Sequence, residues 1–186
     1  MLSIPSLPEP LGGQRVRVRD AAERDIPEIL IAYQDDPELH LRMGEARPPS
    51  GAELGRWAES EAADRAAGLR AALTILDPGS DVCQGQLYLH HIDWEHARAE
   101  LGIWVAPQAR GKGFASETLR VVGAWLFSQC GLLRLHVLTE PDNRPMLRAA
   151  AAAGFIREGV LRAYLRERHG RVDVVVLSLL PSDLRG

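Results

Sequence analysis

The sequence predicts a mixed α/β (α+β) protein organised around a central, mostly antiparallel, twisted sheet of about seven strands. Two observations predict the class. Stretches with β-branched, aromatic or period-two apolar patterning alternate with stretches of helical apolar spacing, and most strand-like stretches follow one another through short turns. A third observation organises the rest: the two-glycine turn Ala106 to Ser116 joins an apolar strand to an amphipathic helix. A chain of 186 residues, 46% hydrophobic and 25% charged, has the length and composition of one well-filled globular domain, taken as residues 14–186.

Taken in order, Met1 to Gly13 reads as a flexible lead-in. It has no basic n-region, and Pro5, Pro8 and Pro10 break its apolar residues, so neither a signal peptide nor a membrane span is expected. Val16 and Val18 alternate with Arg15, Arg17 and Arg19 as in a half-buried strand. Asp25 is the expected N-cap of a helix with Pro27 in its first turn and Ile26, Ile29, Leu30 and Tyr33 on one face. The polar segment Asp35 to Pro49 serves equally well as a substrate opening or a connector. Ser50 and Glu53 have capping-box spacing and start a second helix running towards Gly68.

From Leu69 the pattern turns to strands: Leu69 to Leu76, Val82 to about Asp93, and Arg98 to Val105, an antiparallel meander leading into the glycine turn. Leu119, Val122 and Leu126 then mark a helix stopped by Gly131. Leu132 to Leu138 follows as a strand, parallel to Leu101–Val105 through a right-handed crossover. Asp142 or Asn143 caps a short Ala-rich helix ending at Gly154. Phe155 to Leu165 and Val172 to Leu179 form a hairpin around His169-Gly170, and the apolar Val174 to Leu179 offers a surface for a homodimer.

A net charge of −3 gives no general attraction to nucleic acid or to an anionic membrane, so neither is an expected partner. Arg162, Arg166, Arg168 and Arg171 read as a solvated hairpin rim. Two cysteines, Cys83 and Cys130, are too few for a disulfide framework and suit a reduced, cytoplasmic protein.

The turn itself points to a phosphate ligand. Glycine lets an anion approach bare backbone amides at the positive end of a helix. A magnesium-binding P-loop is excluded because Gly113, not Ser or Thr, follows Lys112. The dinucleotide fingerprint fails at Ser116. Gln108-x-x-Gly111-x-Gly113-x-Ala115 instead resembles the acyl-CoA pyrophosphate loop of the GCN5-related N-acetyltransferases (GNAT). Ala99 to Pro107, Asn143 ahead of Ala153-Gly154-Phe155, Glu158 to Arg162 and the late Asp173 extend the likeness over nearly the whole chain after Gly13. Within the family the chain most resembles the branch that acetylates ribosomal-protein N-termini.

The resemblance implies helices on both faces of the sheet and a splayed strand pair holding acyl-CoA. Pantetheine would pair with Ile103, Trp104 and Val105, and pyrophosphate would rest on Gln108, Ala109, Arg110, Gly111, Lys112, Gly113, Phe114 and Ala115, with Ser116 close by. Asn143 would hold the pantetheine side. Acetyl-CoA would then be co-substrate, with no metal. The implied activity is acetyl transfer by direct attack of an amine, with a peptide or protein N-terminus as acceptor; a small-molecule amine, or a non-catalytic acyl-CoA-binding regulatory module, are the alternatives. An α-amine with pKa near ~8 needs little help to lose its proton.

Glu100, on the strand before the turn, is the first candidate base. His90 and His91 are expected on opposite faces of their strand, so they and Asp93 should not gather a metal. His136 is a further donor or acceptor. Where many relatives carry a Tyr or Ser that protonates the leaving thiolate, this chain has Ala150 and Met146, which leaves Tyr164 or His136 as substitutes. Ser116, Ser128 and the cysteines lack the base and orienting acid of a nucleophilic triad.

Overall fold

The computed structural model describes residues 3–167 and 170–184. One eight-stranded sheet runs through them, in the order β1-β2-β3-β4-β5-β6-β8-β7. The strands are β1 (Leu11–Gly12), β2 (Arg17–Asp20), β3 (Ala71–Leu76), β4 (Cys83–Asp93), β5 (Arg98–Val105), β6 (Arg134–Thr139), β7 (Ile156–Glu167) and β8 (Gly170–Leu179). The β5–β6 pair is parallel and the other pairings are antiparallel. Helices α1 (Ile26–Asp35), α2 (Leu39–Arg42) and α3 (Gly51–Ala66) precede the meander, α4 (Phe114–Cys130) links β5 to β6, and α5 (Arg144–Ala152) links β6 to β7.

The helices cover both faces, each over its own core. Phe114, Leu119, Val122 and Leu126 of α4 and Ala150 of α5 pack with Leu87, Leu101, Leu135 and Val137. Ile29, Ala32 and Tyr33 of α1, Leu39 of α2 and Leu54 of α3 pack on the other face with Trp104. This division follows from the strand period of two: Leu101 and Ile103 turn towards α4, while Trp104 turns towards α1.

Caps and turns hold this frame together. Ser50 and Glu53 make the expected capping box, with Glu53 N–H donating to the Ser50 hydroxyl at 3.3 Å and Ser50 N–H to the Glu53 carboxylate at 2.9 Å. Asn143 Oδ1 accepts from Met146 N–H at 3.2 Å and caps α5. Asp25 departs from its expected role. Although it stands at the start of α1, its side chain makes no cap bond to that helix. It accepts instead from Ala22 N–H at 3.0 Å, from the Thr74 hydroxyl at 2.6 Å and from both terminal nitrogens of Arg19, at 2.9 and 2.6 Å. Burial by itself pushes the Asp25 carboxyl up, but the bonds from Arg19, Thr74 and Ala22 outweigh it and hold the pKa below the ordinary value.

The lead-in also differs from expectation. Ile4 is buried, Ile4 N–H donates to the Arg65 carbonyl at 3.1 Å, and Leu11–Gly12 adds the eighth strand beside β2. An apolar side chain between prolines found a core position, which sequence periodicity does not register. The homodimer surface expected at Val174 to Leu179 is corrected too: β8 lies between β6 and β7, and Val174, Val175, Leu177 and Leu179 are buried within the chain. Exposed apolar side chains occur instead on the outer strand β7, at Ile156, Val160, Leu161 and Leu165. The turn expected at His169-Gly170 falls partly outside the described residues, as does Arg168.

Candidate active site

The site begins where two parallel strands part. β5 and β6 pair at Arg98↔Arg134, Ala99↔Leu135 and Glu100↔His136, and the pairing stops there. β5 continues against β4, with Leu101↔Leu89, Ile103↔Leu87 and Val105↔Gly85, so residues 101–105 keep one paired edge and one edge open towards β6. Unpaired backbone amides and carbonyls on such an edge are ready partners for an extended ligand. This is the splayed pair expected from the sequence, and Ile103, Trp104 and Val105 lie along it.

Directly after it, Pro107–Ala109 make one tight turn and α4 starts at Phe114. Gly111 and Gly113 adopt left-handed backbone conformations, φ 74° and 83°, which cost a residue with a Cβ and cost glycine nothing. A Cβ at Gly111 would meet no atom within 4 Å, so the surface above it is open. Gln108 to Ala115 thus curl around the N-terminus of a 17-residue helix, where unpaired N–H groups and the dipole favour an anion. The chain fits a pyrophosphate on backbone chemistry alone.

Side chains around the turn bond within the protein. The Arg110 guanidinium donates to the Val105 carbonyl at 2.9 Å and pairs with Asp36, which tethers the turn to the end of α1 and takes that cation away from the cradle. Asp36 answers both Arg110 and Arg42; burial raises its pKa, and the guanidinium bonds more than reverse this. The Ser116 hydroxyl donates to the Gly113 carbonyl at 3.0 Å. Glu117, buried in the first turn of α4, accepts from Gln14 N–H and, at 2.9 Å, from Arg15 N–H. That bond places Arg15 over the turn, its Nη1 3.3 Å from where a Cβ on Gly113 would stand. By sequence Arg15 belongs to the alternation of a strand. Its place at the cradle comes from a contact about a hundred residues long in sequence, which no local pattern signals.

At the fork itself, Glu100 gathers histidines. His91 Nδ1 lies 3.0 Å and His136 Nε2 3.5 Å from Glu100 Oε2. Burial raises the Glu100 pKa, but His136 and His91 beside it more than offset this and hold the carboxyl at about 2. His90 is half-buried and is pushed below its ordinary value chiefly by burial. The expectation that His90 and His91 face apart is overturned. β4 carries an extra residue between His90↔Glu100 and Asp93↔Arg98, His91 sits at φ 49°, and this β-bulge turns both rings to one side, their Nδ1 atoms 3.2 Å apart. Asp93 is left out, engaged with His96 and Arg98.

His90 also lines a cavity of about 310 Å³ between α1, α3 and the β3–β4 strands, together with Glu45, Glu61, Trp57, Gln86 and Tyr88. Burial raises the pKa of both Glu45 and Glu61. Glu45 accepts from the Tyr33 hydroxyl at 3.0 Å. Arg70 also stands in the wall and Glu61 is taken by Arg65 and Ala72 N–H, so Glu45 is the carboxyl beside His90 that an amine entering this room would meet.

Tyr164 does not join this group. In the row across the sheet, His136 is opposite Ser178 and Ser178 opposite Ile156, whereas Tyr164 lies in the bulged stretch of β7 between the pairs Leu161↔Val174 and Leu165↔Val172, about five β8 residues from that row, roughly 17 Å at 3.3 Å per residue. Burial pushes the Cys83 and Cys130 thiols up to about 12 and about 11, which keeps them protonated and poor nucleophiles at neutral pH. Among the described residues no helix is long and apolar enough to cross a membrane.

A strand fork that opens onto a glycine turn at a helix N-terminus, with a carboxylate at the apex, presents an open backbone edge and an anion cradle in line, as a transferase for an extended, phosphate-bearing ligand requires. Residues 15–156 match the acetyltransferase (GNAT) domain, and the chain belongs to that family of acetyltransferases. It is 28% identical over 179 residues to the uncharacterized N-acetyltransferase p20 of Bacillus licheniformis, an alignment covering 96% of this chain and 99% of that one. Its fold is shared by the Mycobacterium smegmatis RimJ structure in complex with CoA-disulfide, with TM-score 0.81, 22% identity, and coverage of 98% of this chain and 92% of that one. The ribosomal-protein-S5-alanine acetyltransferase from Vibrio fischeri superposes with TM-score 0.81 at 18% identity, over 95% of this chain and 99% of that one.

Proposed function

We propose that the protein moves an acetyl group from acetyl-CoA to the α-amine of a peptide or protein N-terminus, by direct attack of the amine. The observation that carries this reading is the fork: the open edge of residues 101–105 leads from Glu100 straight into the left-handed glycines of the α4 N-terminus. The pyrophosphate is held by the amides of Gln108 to Ala115 with Arg15 above them, and the pantetheine arm by the edge from Ile103 to Val105 with Asn143 alongside. Acetyl-CoA supplies the activated acyl group. This chain's own residues bind, orient and move the proton.

The acceptor enters on the α1–α3 face, where Glu100, His90 and His136 converge. The His136–Glu100 pair takes the proton released by the ammonium: the imidazole accepts it and the carboxylate balances the charge. Val105 N–H is the donor that polarises the thioester carbonyl. With alanine and methionine at positions 150 and 146, the thiolate leaves with solvent or the same imidazole as its acid. The named activity of the superposing ribosomal-protein acetyltransferase supports a protein N-terminus as acceptor. The carboxyl-lined cavity supports a second reading, a small polyamine-like amine.

The deciding experiment incubates the protein with acetyl-CoA and a panel of N-terminal peptides and small amines, and reads acetylated product by mass spectrometry. Peptides acetylated at the α-amine, at rates well above any polyamine, are the expected result. Turnover confined to polyamines would replace the first reading by the second.

A further inference from the structure

The bulge in β4 does more than reorient a side chain. One ring nitrogen each of His90 and His91 and a Glu100 oxygen all lie within 4.8 Å of one another, with His91 Nδ1 3.2 Å from His90 Nδ1 and 3.0 Å from Glu100 Oε2. The ring centroids of the two histidines are 4.6 Å apart whereas their Nδ1 atoms are 3.2 Å apart, so the nitrogens stand on the facing edges. Hydrogen bonds serve this trio poorly. A neutral imidazole has one N–H, so His91 Nδ1 can donate well to Glu100 or to His90 but not to both. Three potential ligand groups therefore crowd one small volume.

We infer that His90, His91 and Glu100 form a site for a divalent transition-metal ion of the zinc type. An ion about 2.05 Å from two nitrogens that are 3.2 Å apart subtends about 100° between them, close to the tetrahedral angle. The same construction for His91 Nδ1 and Glu100 Oε2, 3.0 Å apart, gives about 95°. Two imidazoles and one carboxylate favour zinc, cobalt, nickel or copper over magnesium or calcium, which prefer all-oxygen sites. His91 is exposed, so the ion enters from solvent and keeps a fourth position for water. His136, 3.5 Å from the liganding oxygen, supports Glu100 from behind.

An ion there competes with the acceptor amine for Glu100, so occupancy lowers acetyl transfer; this consequence, unlike the site itself, rests on the proposed function. Tag-free protein stripped with chelator is titrated with zinc chloride by calorimetry and with cobalt(II) by visible absorption. Expected are one ion per chain, a tetrahedral cobalt spectrum, and a Kd at least tenfold weaker in both His91→Ala and His90→Ala. His91 is exposed, so His91→Ala tests the site without endangering the fold. His96→Ala, in the separate pair with Asp93, should bind as the wild type does. Absence of stoichiometric uptake by the wild type, or uptake kept by both His90→Ala and His91→Ala, overturns the site. In the acetylation assay, zinc at saturation should cut the rate at least tenfold, and chelator should restore it. Binding without inhibition would keep the metal site and remove Glu100 from the chemistry.

Discussion

The proposed cofactor half and the proposed acceptor half of this site are built from different materials. From Leu101 to Ala115 the useful groups are backbone N–H and C=O, exposed because a strand loses its partner and a helix begins. On the α1–α3 face the useful groups are side chains, Glu100, His90, His91, His136, Glu45 and Glu61, gathered from separate elements. The lesson is physical. A backbone cradle needs only glycine, a strand end and a helix start, all local; a side-chain cluster needs several elements to settle against one another. The first tolerates changes of side chain that keep the backbone path, and the second does not.

The largest expected effect sharpens that dependence. Asp25 holds the segment entering α1, the helix that covers the acceptor half, through Arg19, Thr74 and Ala22, with Asp81 and Arg24 nearby. Asp25→Asn leaves Arg19 short of a buried partner and should cost about 3 kcal/mol of stability. Because the folded-state pKa of Asp25 is lowered, its contribution is complete above the unfolded carboxylate value near ~4 and is lost as pH falls through the folded value. Urea unfolding at several pH values should show the wild type ahead of the mutant at pH 6 and the gap closing in acid. A gap independent of pH would show that Asp25 acts by shape, not charge.

Next in size, Glu100→Gln should lower kcat about a hundredfold with little change in KM for acetyl-CoA. An unchanged kcat would place the chemistry elsewhere on the fork. Gly111→Asp attacks the other half. It adds a carboxylate beside the phosphate cradle and forces a side chain into a left-handed position, so CoA binding by calorimetry should weaken about thirtyfold. Retained affinity in a folded Gly111→Asp protein would separate the glycine turn from the cofactor. Smallest is Arg15→Ala, expected to raise the Kd for CoA about fivefold and to reduce its salt dependence. These two should leave acceptor KM alone, and a change there would break the division between the halves.

Much of the fold was legible in the sequence because its elements carry local causes. The capping box at Ser50 and Glu53, the Asn143 cap and the meander into the glycine turn appear where the patterns put them, and the return through α4 is parallel as expected, though β6 pairs with Arg98–Glu100 and not with Leu101–Val105. What escaped depends on contacts distant in sequence. Asp25 reads as an ordinary cap until Arg19 and Thr74 claim it. Arg110 reads only as part of the turn, and Asp36 decides where its guanidinium goes. Arg15 reads as strand alternation until Glu117 draws its backbone to α4. The apolar Val174 to Leu179 reads as a surface, yet the hairpin leaves β8 inside the sheet and β7 at its edge.

The sequence by itself determined the backbone half of this protein: a strand, two glycines that permit left-handed turns, and an amphipathic helix suffice to specify an anion cradle, since each constraint acts within a few residues. Tertiary structure alone decided where β5 and β6 part, that a one-residue bulge brings His90 and His91 together, and that both meet Glu100 beside His136. Period-two alternation assigns those histidines to opposite faces. Only the pairing of whole strands, with one residue left over, reverses it.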